Sequence, residues 1–191
     1  METQTQSTTT TGAGVGVTTW TLDPAHTLVE FGVKHMMFTT VKGRFPGVSG
    51  TFTVDEANPA NSSTSVTIDT ASIDTRDEKR DAHLRSADFF DVENYPTITF
   101  ESTRVEPHGK DKERATIYGN LTIRGVTREV ALDAAFNGKA VTPWGNEISS
   151  YSATTSIDRK DYGLTWNAAL EAGGMLVGDT IKITIEVEAT K

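Results

Sequence analysis

From Trp20 to the C-terminus, apolar and polar residues alternate with a period of two, the spacing that sends successive side chains to opposite faces of a strand. In His26–His35, Val29, Phe31 and Val33 alternate with Leu28, Glu30, Gly32 and Lys34, and in GTFTV Phe52 and Val54 oppose Thr51 and Thr53. The pattern returns around Val66 and Ile68, Ile98 and Phe100, Ile117 to Ile123, and Val130 to Phe136. It weakens in ISSYSATTSID and closes with TIKITIEVEA, where Ile181, Ile183, Ile185 and Val187 face away from Lys182, Thr184, Glu186 and Glu188. These runs predict about eight half-buried strands. The links between them are turn-like: a charged loop at Glu106–Arg114, a tight link at Arg124–Thr127 and another at Pro143–Asn146. Successive strands therefore pair antiparallel. One short helix cannot cover so many strands, and the outward set is made for water, so the sheet closes on itself. The predicted fold is an all-β antiparallel barrel of about eight strands with a short helical insertion.

That insertion is Thr75–Pro96, TRDEKRDAHLRSADFFDVENYP. Thr75 and Glu78 have the spacing of a capping box, and His83, Ala87 and Phe90 recur at helical spacing beneath a charged face. A helix is expected from Thr75 towards Phe90, ending before Tyr95, which the following proline pushes into an extended shape.

Composition narrows the functional classes. The chain has 191 residues, no cysteine, and a net charge of −8, which disfavours broad contact with nucleic acid or an anionic membrane. Disulfides and thiolate metal sites are excluded. Residues 1–17 are polar and of low complexity, and read as a disordered tail ahead of one domain over 18–191. That tail lacks the basic start and apolar run of a secretion signal, and no later stretch approaches membrane-spanning length, so the expectation is a cytoplasmic protein without stable membrane insertion.

A barrel of about eight strands is just wide enough to be filled by its own side chains or to hold one slender ligand. The inward register includes the small residues Ser102, Ala115, Gly119 and Ala134. These favour a partly hollow interior, while Phe and Met from the helix and loops are the alternative filling.

Several stretches together, DPAHTLVEFGVKHMMFTTVKGRFPGVSGTF, RDAHLRSADFFDVENYPTITFES, YGNLTIRGVTREVAL, DRKDYGL and VGDTIKITIEVEA, resemble the YceI-like family of polyisoprenoid-binding proteins. The resemblance runs from Trp20 to the C-terminus. It implies a lipocalin-like barrel whose long apolar tunnel takes up an isoprenoid chain, a binding protein rather than an enzyme, and no cofactor.

On that reading the tunnel wall comes from Phe31, Val33, Phe52, Ile68, Phe100 and Leu121, with Met36, Met37, Phe38, Phe89, Phe90 and Trp166 around the helix and mouth. Each could equally be ordinary core. Arg80, Asp81, His83 and Arg159, with Arg76 and Arg85 nearby, are candidates to receive a diphosphate or hydroxyl head group. The competing role for Arg80 and Asp81 is to fix the helix to Asp158 or Asp161 through ion pairs. A mouth rimmed by Phe and Met could also pair two copies as a homodimer.

Two other classes remain open. An Asp23–His26 or Asp81–His83 pair could orient a general base, although nucleophile elbows, zinc-helix motifs and phosphate loops are absent from the sequence. His26, His35 and His83 could meet at a metal only through folding. Trp144, Tyr151 and Tyr118, placed in a turn or facing outwards, would mark a protein- or oligosaccharide-binding surface.

Overall fold

The computed structural model describes residues 16–109, 111–171 and 173–191. The tail expected over residues 1–17 lies, up to residue 15, outside the described residues. Ten antiparallel strands follow: β1 (Val17–Leu22), β2 (Leu28–His35), β3 (Thr39–Arg44), β4 (Val48–Asp55), β5 (Ser63–Asp69), β6 (Thr97–His108), β7 (Asp111–Ile123), β8 (Val126–Val141), β9 (Glu147–Asp158) and β10 (Val177–Thr190). One helix, α1 (Glu78–Arg85), stands between β5 and β6, and single 3-10 turns follow β4, β5 and β9.

The ten strands make an eight-strand barrel because two of its staves are interrupted. β1 and β2 lie end to end along the same edge of β10, with Leu22 opposite Ala189 and Leu28 opposite Glu186. β4 and β3 flank them in the same way, β4 on β1 and β3 on β2. The breaks have local causes. Asp23 Oδ1 accepts the Ala25 N–H at 2.9 Å, which turns the chain at Pro24. Pro46, which has no N–H to give a ladder, separates β3 from β4. The order β1-β4-β5-β6-β7-β8-β9-β10 closes where β1 meets β10 again, leaving β2–β3 as an extension of one rim.

The charged loop expected at Glu106–Arg114 is largely strand. β6 runs to His108 and β7 starts at Asp111, so the hairpin is long and tightly turned. The helix is shorter than the expected Thr75–Phe90, and its N-cap is Asp77, whose carboxylate accepts the Arg80 N–H. Thr75 is buried and bonded elsewhere, as described below. Two runs of turn carry the chain from Ser86 to Pro96, with Asp91 between them in the left-handed region at φ 51°.

Inward side chains of β5 to β8 pack into the main core, around Ile98, Phe100, Leu121, Ile123 and Leu132, and Ile73, Phe89 and Tyr162 add to it from the connecting segments. Tyr162 is almost fully enclosed, and burial pushes its phenol up to about 12. Two glycines make room for large neighbours. A Cβ on Gly119 would overlap the Phe100 ring and lie 2.7 Å from the Glu101 carbonyl oxygen, and one on Gly43 would overlap the Phe31 ring and lie 2.8 Å from Thr75 Cγ2. Both are closer than real Cβ contacts come. Gly119→Ala should therefore displace the Phe100 ring at a cost of about 1–3 kcal/mol, a fall in Tm of several degrees by thermal denaturation; an unchanged Tm would contradict the packing at this strand pair.

Candidate functional site

The inward residues do not fill the barrel. A cavity of about 670 Å³ runs through it, within the range of small-molecule sites. Its middle is aliphatic, lined by Val66, Ile117, Leu132, Ile183 and Ile185 among others. The four aliphatics of β10 face away from solvent yet are only half-buried, because their atoms look into empty space. Of the small inward residues, Ala115 and Ala134 lie on the cavity wall, whereas Ser102 Oγ accepts the Thr64 N–H at 2.8 Å.

Each end of the cavity carries aromatic side chains. Towards the helix, Phe45 stands between Phe31 and Phe90, with ring centroids at 5.6 and 5.8 Å. At the opposite end Tyr151 stands between Phe52 and Phe136, at 5.0 and 5.4 Å. Tyr151 therefore points inwards, against the outward register expected for it. The alternation in β9 is faint, and the β8–β9 register shifts between Phe136 and Gly138, so the inward set could not be counted across from β8.

The two ends differ in polarity and exposure. At the helix end the wall is closed by buried Phe89, Leu164 and Arg159. The helical segment shuts this end instead of framing an entrance. At the other end the wall includes Asp55, Glu56, Ser62, Glu113, Arg114 and Lys139, several of them exposed, and there the cavity reaches the surface. Lys139 donates to Glu56 across it and holds that carboxyl below the usual range. Arg114 Nη2 donates to both carboxylate oxygens of Asp133, at 2.9 and 2.8 Å.

The expected tunnel residues divide by position. Phe31, Val33, Phe52, Ile68, Phe89, Phe90, Phe100 and Leu121 all border the cavity. Phe38 does not: it is 83% exposed at the β2–β3 turn, beside exposed Met36 and Met37. Trp166 lies outside the wall too, packed on Phe89 at 5.3 Å and on His83 at 4.7 Å.

The expected head-group residues have other partners. Asp81 is buried, and its Oδ1 accepts the Thr75 N–H at 3.0 Å and the Thr75 hydroxyl at 2.5 Å. Arg80 donates to the Thr75 hydroxyl and carbonyl oxygens at 2.7 and 2.8 Å. Helix α1 is thus fastened to Thr75, and neither Asp158 nor Asp161 takes part; Asp158 instead accepts the Lys160 N–H. His83 Nε2 meets Asp88 at 2.8 Å, so His83 and Asp81 do not form a catalytic pair. Arg85 donates to the carbonyl oxygens of Ala71 and Ile73. Arg159 borders the cavity but is 3% exposed, its guanidinium spent on the carbonyl oxygens of Gly178, Leu164 and Trp166 and on Asp179. These cations tie down loops. Among the described residues, His26, His35 and His83 do not meet at a common point; His26 sits against Asp23 and Glu188 on the outer wall.

Residues 20–189, which hold nearly all of this barrel, match the model of the YceI-like domain. The chain belongs to the YceI-like family. A UPF0312 protein of Pectobacterium carotovorum is 43% identical over 140 residues, covering 73% of this chain and 71% of the relative. A UPF0312 protein of Pseudomonas aeruginosa is 42% identical over 139 residues, with the same coverage of 73% and 71%. Among solved structures, Burkholderia cenocepacia BcnA superposes with a TM-score of 0.77 at 25% identity, covering 88% of this chain and 99% of that one. The Campylobacter jejuni YceI protein gives 0.69 at 34% identity, covering 83% and 89%. A polyisoprenoid binding domain from Saccharophagus degradans, implicated in plant cell wall breakdown, shares the fold at 0.66 and 15% identity, covering 90% and 97%.

Within this YceI-like barrel, sequence reasoning missed Tyr151, Phe136 and Phe45 at the cavity ends and the Glu56–Lys139 pair at its surface end. Phe45 precedes a proline in a stretch without alternation, and Glu56 and Lys139 are 83 residues apart. The Thr75–Asp81 network leads to a stability prediction. Asp81→Ala strands two buried donors and should cost about 2–3 kcal/mol, lowering Tm by about 5–10 °C. Lys42→Ala, which removes an exposed pair with Glu30, should shift it by less than about 2 °C. Equal shifts would contradict the fastening role of Asp81.

Proposed function

We propose that this protein binds and carries a long-chain polyisoprenoid, with the prenyl chain along the barrel axis. The observation that carries this is the cavity itself: about 670 Å³, aliphatic through its middle, closed at one end and polar at the other. A strand of 12 residues such as β9 is about 40 Å long, and tilted by roughly 40° it makes a barrel about 30 Å tall, near the thickness of a bilayer's hydrocarbon core. A long apolar chain fits that shape, and a compact ligand would leave most of it empty. The name of the Saccharophagus degradans fold relative supports the same ligand class.

The energetics need no reactive group. Each five-carbon unit buried yields roughly 4 kcal/mol, at about 0.8 kcal/mol per carbon. Four units give about 16 kcal/mol, and an association cost of about 8 kcal/mol leaves micromolar affinity. The polar head then lies by Asp55, Glu56, Glu113, Arg114 and Lys139, at the end where the cavity meets water. Arg80, Asp81 and His83 act by holding the helical segment closed over the other end. The reading is of a carrier and not an enzyme: the interior offers an unreactive wall to a chain, and the Asp23–His26 pair lies outside it.

Leu121→Arg or Phe100→Arg puts an unpaired charge in the apolar stretch. Either should reduce uptake of a fluorescent prenyl probe at least about a hundredfold, from the several kcal/mol that burying such a charge costs. Arg80→Ala should leave uptake within about threefold while lowering Tm. Unchanged uptake by a folded Leu121→Arg protein would overturn the tunnel assignment, and a selective loss with Arg80→Ala would place the head group at the helix end.

A further inference from the structure

The outer wall holds a cluster that the cavity does not use. Where β1 breaks from β2, Asp23 Oδ2 lies 2.8 Å from His26 Nδ1, and Glu188 Oε1 of β10 lies 3.8 Å from the same nitrogen. All three ligand atoms fall within 4.8 Å of one another. The backbone already fixes this geometry. The Asp23 N–H donates to the Glu188 carbonyl oxygen at 2.9 Å, and the Thr27 hydroxyl donates to that oxygen at 3.3 Å. Asp23 Oδ1 is held by the Ala25 N–H, leaving Oδ2 turned to His26.

We propose that Asp23, His26 and Glu188 form a binding site for a first-row divalent transition metal of the Zn²⁺ type. A tetrahedral ion with bonds of about 2.0–2.2 Å keeps its ligand atoms about 3.3–3.6 Å apart; the two separations from His26 Nδ1, 2.8 and 3.8 Å, lie on either side of that value, and the one between Asp23 and Glu188 is within 4.8 Å. One imidazole nitrogen and two carboxylate oxygens suit Zn²⁺ and its neighbours, whereas Mg²⁺ and Ca²⁺ prefer all-oxygen sites. The His26 side chain is 63% exposed, so the ion enters from solvent and keeps a water in its fourth position.

The position gives the ion a role. β1 and β10 close the barrel through only Thr21–Thr190 and Leu22–Ala189, while β9 and β10 are paired from Thr180–Asp158 to Thr190–Ile148. The cluster sits beside this short seam, with two ligands on the β1–β2 break and one on β10. A bound ion clasps the barrel shut.

The test is titration of the tag-free, chelator-treated full chain with ZnCl₂, read by isothermal calorimetry and by Tm. One ion per chain is expected, with a Tm rise of about 5–10 °C at saturation. MgCl₂ should give none. His26→Gln and Glu188→Gln should each weaken binding at least about tenfold, the range typical of losing a metal-site contact, while His35→Ala and His108→Ala retain it. Absence of binding heat, or a Tm rise kept by His26→Gln, would overturn the proposal.

Discussion

An antiparallel sheet leaves two edges of unpaired N–H and C=O groups unless it closes, and in this chain closure fixes nearly everything else. With eight staves the radius is set by geometry and not by side-chain volume. The inward residues are mostly Val, Ile, Leu and Ala, joined by rings that gather at the two ends, so the centre cannot be filled. The half-buried state of Ile181, Ile183 and Ile185 records the mismatch. A packed core of the same residues would be more stable; the hollow is tolerated because the backbone pairing that runs from β1 round to β10 holds the wall without it.

The remaining structure manages the ends of that hollow. Among the described residues the segment from Thr70 to Pro96 is the longest excursion from the sheet, and it is held by polar contacts to backbone: Asp81 and Arg80 on Thr75, Arg85 on Ala71 and Ile73, and Arg124 on Ala87. Arg159 does the same for the stretch before β10. Charge at this end is spent on architecture. At the other end, Glu56 and Lys139 span the rim as an exposed pair, the kind of contact that exchanges readily with water.

The barrel was legible in the sequence because period-two alternation survives in most strands, and TIKITIEVEA assigns its faces without ambiguity. Six of the expected wall residues, Phe31, Val33, Phe52, Ile68, Phe100 and Leu121, lie on the cavity for the same reason, and Phe89 and Phe90 reach it from the segment after the helix. The interruptions were less visible. β1 and β3 are short, and TTVKGR carries one aliphatic residue, so two staves read as one strand each. The helix start was misplaced because Thr75 and Asp77 both suit an N-cap, and the buried carboxylate of Asp81, which claims Thr75, is a tertiary fact. The cationic cluster was overread: Arg80, His83 and Arg159 share a region, but their partners are backbone oxygens and carboxylates brought in by folding. Tyr151 was lost to a register shift that no local pattern signals.

Whether one prenyl chain occupies the barrel is decided by native mass spectrometry of the purified protein, followed by fragmentation of whatever mass is released. The expected result is a one-to-one adduct whose released mass contains a ladder of isoprene units, absent from the Leu121→Arg protein. A protein that stays free of adduct after incubation with polyprenols of several lengths, or that binds compact apolar molecules in preference to them, would contradict it.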